Sequence, residues 1–120
     1  MSLDQEIRKI KKSFPEVKFV RVSGNYVPDT HLLQPEFKRF AEIDKKTISL
    51  KWKNKNKIFG FAQILIAESL SSQSYKAIRE AIIAHELVHL FCEQHNEYQV
   101  DNEVKKRGYG QGLTESLLLK

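Results

Sequence analysis

Cysteine is almost absent from this chain of 120 residues: Cys92 stands alone, which excludes an intrachain disulfide and a zinc site built from cysteines only. Met1 is the single methionine. No apolar run approaches the length that crosses a bilayer, and the start lacks the charged, apolar and small-residue succession of a secretory signal. These absences lead us to expect a reducing, cytoplasmic location and no membrane span. Tyr75–Glu93 contains neither glycine nor proline, so nothing local interrupts a helix there. What is present is ordinary for one globular domain over 1–120, with 41% hydrophobic and 29% charged residues. The net charge of +5 is too mild to name a partner.

Hydrophobic periodicity divides the chain. Leu3, Ile7, Ile10 and Phe14 form one helical stripe before Pro15, and Ser2 with Gln5 reads as a capping box. From Val17 to Ala67 the period shortens to two. Val17–Val22 predicts a strand ending at Ser23-Gly24-Asn25, followed by a loop punctuated by Pro28 and Pro35. Phe40–Ile43 and Thr47–Trp52 predict two strands broken at Asp44-Lys45-Lys46, and Ile58–Ala67 a further, more apolar one. The expected fold is α+β: a small three- or four-stranded sheet, an N-terminal backing helix, and two further helices. The serine-rich Ser69–Ser74 segment could cap the first of these, Tyr75–Glu93. That helix is apolar nearly all round in its second half, as a buried helix is. The second opens with a capping box at Asn96 and Gln99, has Lys105, Lys106 and Arg107 in its last turn, and stops at Gly108. Gly110 and Gly112 would loosen the link to a short tail, Leu113–Lys120.

The central helix carries His85-Glu86-Leu87-Val88-His89, an H-E-x-x-H sequence. Residues four apart lie on one helical face, about 6 Å apart along the axis. Two imidazoles so spaced can share a single Zn²⁺ at roughly 2.0–2.1 Å, leaving room for a third protein ligand and a water. Glu86, one residue round, can take a proton from that water as it attacks a carbonyl and return it to a leaving amine. Two imidazoles and a carboxylate buried without partners would cost about 1–3 kcal/mol each, and one metal answers all three.

Four residues downstream could complete the ligand set: Cys92, Glu93, His95 and Glu97. A straight helix carries Cys92 and Glu93 away from the ion. His95 has metzincin spacing, but Cys92 occupies the place of the turn glycine and no methionine is available for a Met-turn. Glu97 opens the next helix after the chain has reversed. Asp101, four residues on, could hydrogen-bond a ligand imidazole and fix its tautomer.

His85-Glu86-x-x-His89 followed by Glu97-x-x-x-Asp101 resembles the gluzincin signature of the M48 metallopeptidases. The Glu97–Gly110 stretch is similar to that family's glutamate helix, with Val100 where the family often has alanine. In size the chain looks like the minigluzincins, compact soluble versions of the M48 and M56 catalytic domains. The resemblance implies a zinc metallopeptidase acting on peptide or protein substrates, with His85, His89 and Glu97 as metal ligands and Glu86 as general base. It also implies a latent form in which a terminal segment occupies the cleft.

Beyond that signature the residues are less specific. The edge of the Ile58–Ala67 strand could line the cleft and pair with an extended substrate. Tyr109, Tyr98, Arg107 and His31 are chemically able to steady an oxyanion. Lys51–Lys57 reads as an exposed hairpin turn rather than a nucleic-acid site, and Cys92 as a small core residue open to oxidation. The competing functions are a zinc-stabilised interaction domain without turnover and a basic nucleic-acid-binding domain with a chance motif.

Overall fold

The computed structural model describes residues 2–32, 41–92 and 96–117, apart from the side chains of residues 31, 32, 97 and 115–117. Helix α1 (Leu3–Lys11) begins where the capping box predicts: Ser2 Oγ accepts from the Gln5 amide at 3.2 Å, and Gln5 Oε1 accepts from the Ser2 amide at 2.8 Å. Its stripe of Leu3, Ile7 and Ile10 is buried, and Phe14 follows it into the core. Each such side chain contributes about 1.5–3 kcal/mol by leaving water. Pro15–Val17 then forms one 3-10 turn.

Among the described residues three strands make the sheet, in the order β1-β3-β2. Strand β1 (Val20–Val27) runs parallel to β3 (Lys55–Ala67), while β2 (Ala41–Trp52) lies antiparallel on the other side of β3. Two expectations are corrected here. The first strand does not end at Ser23-Gly24-Asn25 but passes through it, because Gly24 is where α1 rests on the sheet. A Cβ there would run into the Leu3 and Ile7 side chains, so the glycine permits a close approach instead of a turn. The polar Asp44-Lys45-Lys46 segment is not a break either. It pairs with Gln63, Ala62 and Phe61 inside one continuous β2, since an edge strand facing water tolerates charge. The hairpin turn is Lys53-Asn54, both with positive φ (50° and 64°), as a two-residue turn of this hand requires. The segment holding Pro35 and Phe40 lies outside the described residues.

Alternation along β3 sends Ala62, Ile64 and Ile66 to the helical side, where they join α1 and helix α3 (Lys76–Phe91) in one core. None of the Ser69–Ser74 hydroxyls caps α3; those of Ser72 and Ser74 bond each other at 2.8 Å. Arg79 ties the helix down instead. It is buried, grips Glu6 of α1 through two bonds (2.8 and 3.2 Å), and donates to the carbonyls of Leu70 (2.9 Å) and Ser72.

Helix α4 (Glu97–Lys106) opens with the predicted capping box of Asn96 and Gln99 and buries Val100 and Val104. Its C-cap is Arg107, followed by Gly108 at φ 96°. The described part of the tail is not loose: Gly110–Leu117 is a helix, α5, packed on α3, and residues 118–120 lie outside the described residues. Gly112 is the contact point, because a Cβ there would strike the Ala77 carbonyl and the Ala81 methyl. A short helix, α2 (Asp29–Leu32), follows β1.

Candidate metal centre

Along the second half of α3, Ala81, Ile83, Ala84, Leu87, Val88 and Leu90 are buried, whereas Ile82, His85, Glu86 and His89 are only half-buried. Those four fall at i, i+3, i+4 and i+7, so the helix leaves one stripe partly open to solvent. The stripe contains every polar residue of the H-E-x-x-H sequence. The stripe thus gives the two imidazoles and the carboxylate access to solvent, where the sequence alone predicts burial in an apolar helix.

The two imidazoles converge. His85 Nε2 and His89 Nε2 are 3.0 Å apart, with ring centroids at 4.6 Å and planes inclined at 74°. Two nitrogens sharing a tetrahedral ion at about 2.0–2.1 Å would stand roughly 3.3 Å apart. The pair therefore fits a zinc ion with a few tenths of an ångström of adjustment. At this separation one proton bridges the two nitrogens, or one cation takes both lone pairs. Behind the first ring, Asp101 Oδ1 lies 3.3 Å from His85 Nδ1. A carboxylate there favours the proton on Nδ1 and leaves Nε2 as the electron donor. Asp101 is therefore beside the ring that the sequence reading pairs it with.

Glu97 lies one turn before Asp101 on the same face of α4. Its side chain is not among those described, and Glu93 and His95 lie wholly outside the described residues. Among the described residues no group of three or more His, Cys, Asp or Glu side chains is placed to hold one ion. The structure thus brings together His85, His89 and Asp101, with Glu86 beside them on the open stripe. Cys92 is half-buried, and burial pushes its thiol up, so it stays protonated and weakly nucleophilic at neutral pH.

Two oxyanion candidates are committed to packing. Arg107 bonds Glu103 (2.8 Å), Glu16 (2.9 Å) and the Ser13 carbonyl (2.8 Å), and its guanidinium lies over the Phe14 and Phe91 rings. Tyr109 stacks on Phe14, with its hydroxyl 3.4 Å from Ser13 Oγ. Tyr98 is 74% exposed and remains available beside Glu97, while the His31 side chain is not described.

The expected free edge on β3 is also overturned. β3 is the central strand, paired with both β1 and β2 over residues 60–66. Pairing order is a non-local property, and an apolar strand is more often central than its sequence neighbours. The sheet's edges among the described residues belong to β1 and β2. Among the described residues no helix is long and apolar enough to cross a membrane. Comparison with family models, curated proteins and solved structures gives no match.

Proposed function

We propose that the protein is a zinc-dependent peptidase of the gluzincin type, with His85, His89 and Glu97 holding one Zn²⁺ and Glu86 as general base. The observation that carries this reading is the convergence of the His85 and His89 Nε2 atoms at 3.0 Å with Asp101 behind His85. Zinc, when bound, supplies Lewis acidity and brings the pKa of water towards neutrality. The protein's own groups do the rest. Asp101 holds the His85 ring in one tautomer, and Glu86 accepts the proton of the attacking water and delivers it to the leaving amine. An extended peptide would pair with the outer edge of β2, the antiparallel edge strand that touches α3. We place the protein in the cytoplasm, where its lone thiol stays reduced. The latent form is part of the same reading: α5 crosses the Ala77–Ala81 stripe of α3, which continues into His85 and His89.

Zinc analysis of the purified chain and cleavage of an unstructured protein substrate test this together. Glu86→Gln should keep the metal and lose activity by about 10²–10⁴-fold. Asp101→Ala should weaken zinc binding by about 10–100-fold, and Glu97→Ala should weaken it far more than His95→Ala. Bound zinc with no cleavage by either the wild type or Glu86→Gln would leave an interaction domain. A chain without tightly held zinc would make the motif accidental.

A further inference from the structure

The far end of the β2–β3 hairpin has no role in that chemistry. β1 joins the sheet only from Gly60 onward, so Ile48–Phe59 is a two-stranded ribbon among the described residues. Such ribbons are marginal on their own in water. Cross-strand pairs share a face, and here Ile48 faces Phe59, Leu50 faces Lys57, Trp52 faces Lys55 and Lys46 faces Phe61. This face is opposite to the one that Ala62 and Ile64 turn towards the helices. Ile48 is 60% exposed, Leu50 52%, Trp52 61% and Phe61 62%. Of the large apolar residues exposed among those described, only Tyr26 and Tyr98 lie outside this patch and the adjoining Phe19. The overlapping stretch 45–57 holds Lys45, Lys46, Lys51, Lys53, Lys55 and Lys57 and no acidic residue. Its charge of +6 exceeds the +5 of the whole chain.

We propose that this hairpin face docks on an anionic lipid bilayer, with Ile48, Leu50 and Trp52 entering the headgroup boundary and the lysines meeting lipid phosphates. Clustered apolar side chains with an indole and surrounding lysines are what interfacial binding requires. Single-stranded nucleic acid would need free aromatic faces for base stacking. Here Phe19 and Phe59 stack on each other at 5.2 Å, and the Lys18 and Lys57 ammonium groups lie over the Phe19 ring. Of the four exposed apolar side chains on the face, Trp52 and Phe61 are aromatic, while Ile48 and Leu50 between them are aliphatic and offer no stacking surface for a base. The charge complements phosphate, and the hydrocarbon selects the bilayer.

Trp52 is the only tryptophan, so its emission reports on the patch directly. Full-length protein is titrated with vesicles of phosphatidylcholine alone and with vesicles of phosphatidylcholine and phosphatidylglycerol in equal parts. The emission should shift to the blue with the anionic vesicles only, and binding should be lost near 1 M salt, where the Debye length is about 3 Å. Leu50→Ser keeps the reporter and should weaken binding by about tenfold or more; Trp52→Ser should do so in co-sedimentation. Circular dichroism of both variants should match wild type, and Glu86→Gln should bind vesicles unchanged. Equal response to neutral vesicles, or none to either, overturns the proposal. So does a response to single-stranded oligothymidylate without one to vesicles, or an emission that varies with protein concentration alone, which would make the face a contact between copies of the chain.

Discussion

Helix α3 and the outer end of the β2–β3 hairpin are both rich in large apolar side chains, yet they meet opposite fates. In α3, Leu87 and Val88 are fully buried beneath α1, α4, α5 and the sheet; on the hairpin, Leu50 and Trp52 stand more than half exposed. Hydrophobicity does not separate the two regions. What differs is how many elements the chain brings around each. Where surroundings are complete, a single gap stands out, and on α3 that gap is the stripe of Ile82, His85, Glu86 and His89. Where they are lacking among the described residues, the apolar surface stays open to water.

Breaking the packed region at its clamp should have the largest effect. Arg79→Ala leaves the Glu6 carboxylate buried with its bidentate partner gone, and should cost about 3–5 kcal/mol in urea unfolding. Replacing both residues by apolar side chains of similar volume should recover most of that loss. A cost below about 1 kcal/mol for Arg79→Ala would show that water reaches the pair. Gly112→Ala should come next, at about 1–3 kcal/mol, because the added methyl must push α5 off the Ala77 carbonyl and the Ala81 methyl. An unchanged melting curve would mean that α5 is not firmly seated on α3.

The parts legible in the sequence are those decided within a few residues. Both capping boxes close inside three positions, the α1 stripe repeats every three or four, and the two histidines lie one turn apart. Each depends on local geometry, and each is found in place. The parts misread depend on residues far away. Gly24 looks like a turn residue until Leu3 and Ile7 are seen above it. Gly112 looks like slack until α3 is beneath it. Asp44-Lys45-Lys46 reads as a loop because its pairing partners, Phe61 to Gln63, set the register from another strand. Arg79 attracts no notice among apolar neighbours, since the carboxylate that answers it is at Glu6, at the other end of the domain. At the candidate site the closeness of His85 and His89 was readable from spacing alone. The contact between Asp101 and His85 required α4 to fold back onto α3.

A weaker effect should appear where α4 meets the first turn of the chain. The Arg107 guanidinium bonded to Glu16 holds that carboxyl below its usual range. A carboxylate with a depressed folded pKa adds stability above its unfolded pKa, and this is lost as pH falls through the folded value. Glu16→Gln should therefore be less stable than wild type at neutral pH, by less than about 1 kcal/mol because Glu16 is substantially solvated. The difference should shrink as the pH is lowered past the ordinary glutamate range towards the depressed value. A gap that persisted in strong acid would assign the effect to the way Glu16 positions Arg107 over Phe14 and Phe91 rather than to charge.

The smallest effect is the one that most sharpens the contrast. Leu50→Ser and Trp52→Ser remove as much hydrocarbon as core substitutions that cost several kcal/mol, but both sites are already mostly in water. Each should change unfolding stability by no more than about 0.5 kcal/mol. Leu87→Ala in α3 should cost about 2–5 kcal/mol by the same measurement. If the hairpin variants instead lost about 2 kcal/mol or more, Ile48, Leu50 and Trp52 would be covered in the protein alone, and their exposure could not serve an external partner. A near-zero cost is the result expected of a face that the fold leaves open, as docking on a bilayer requires.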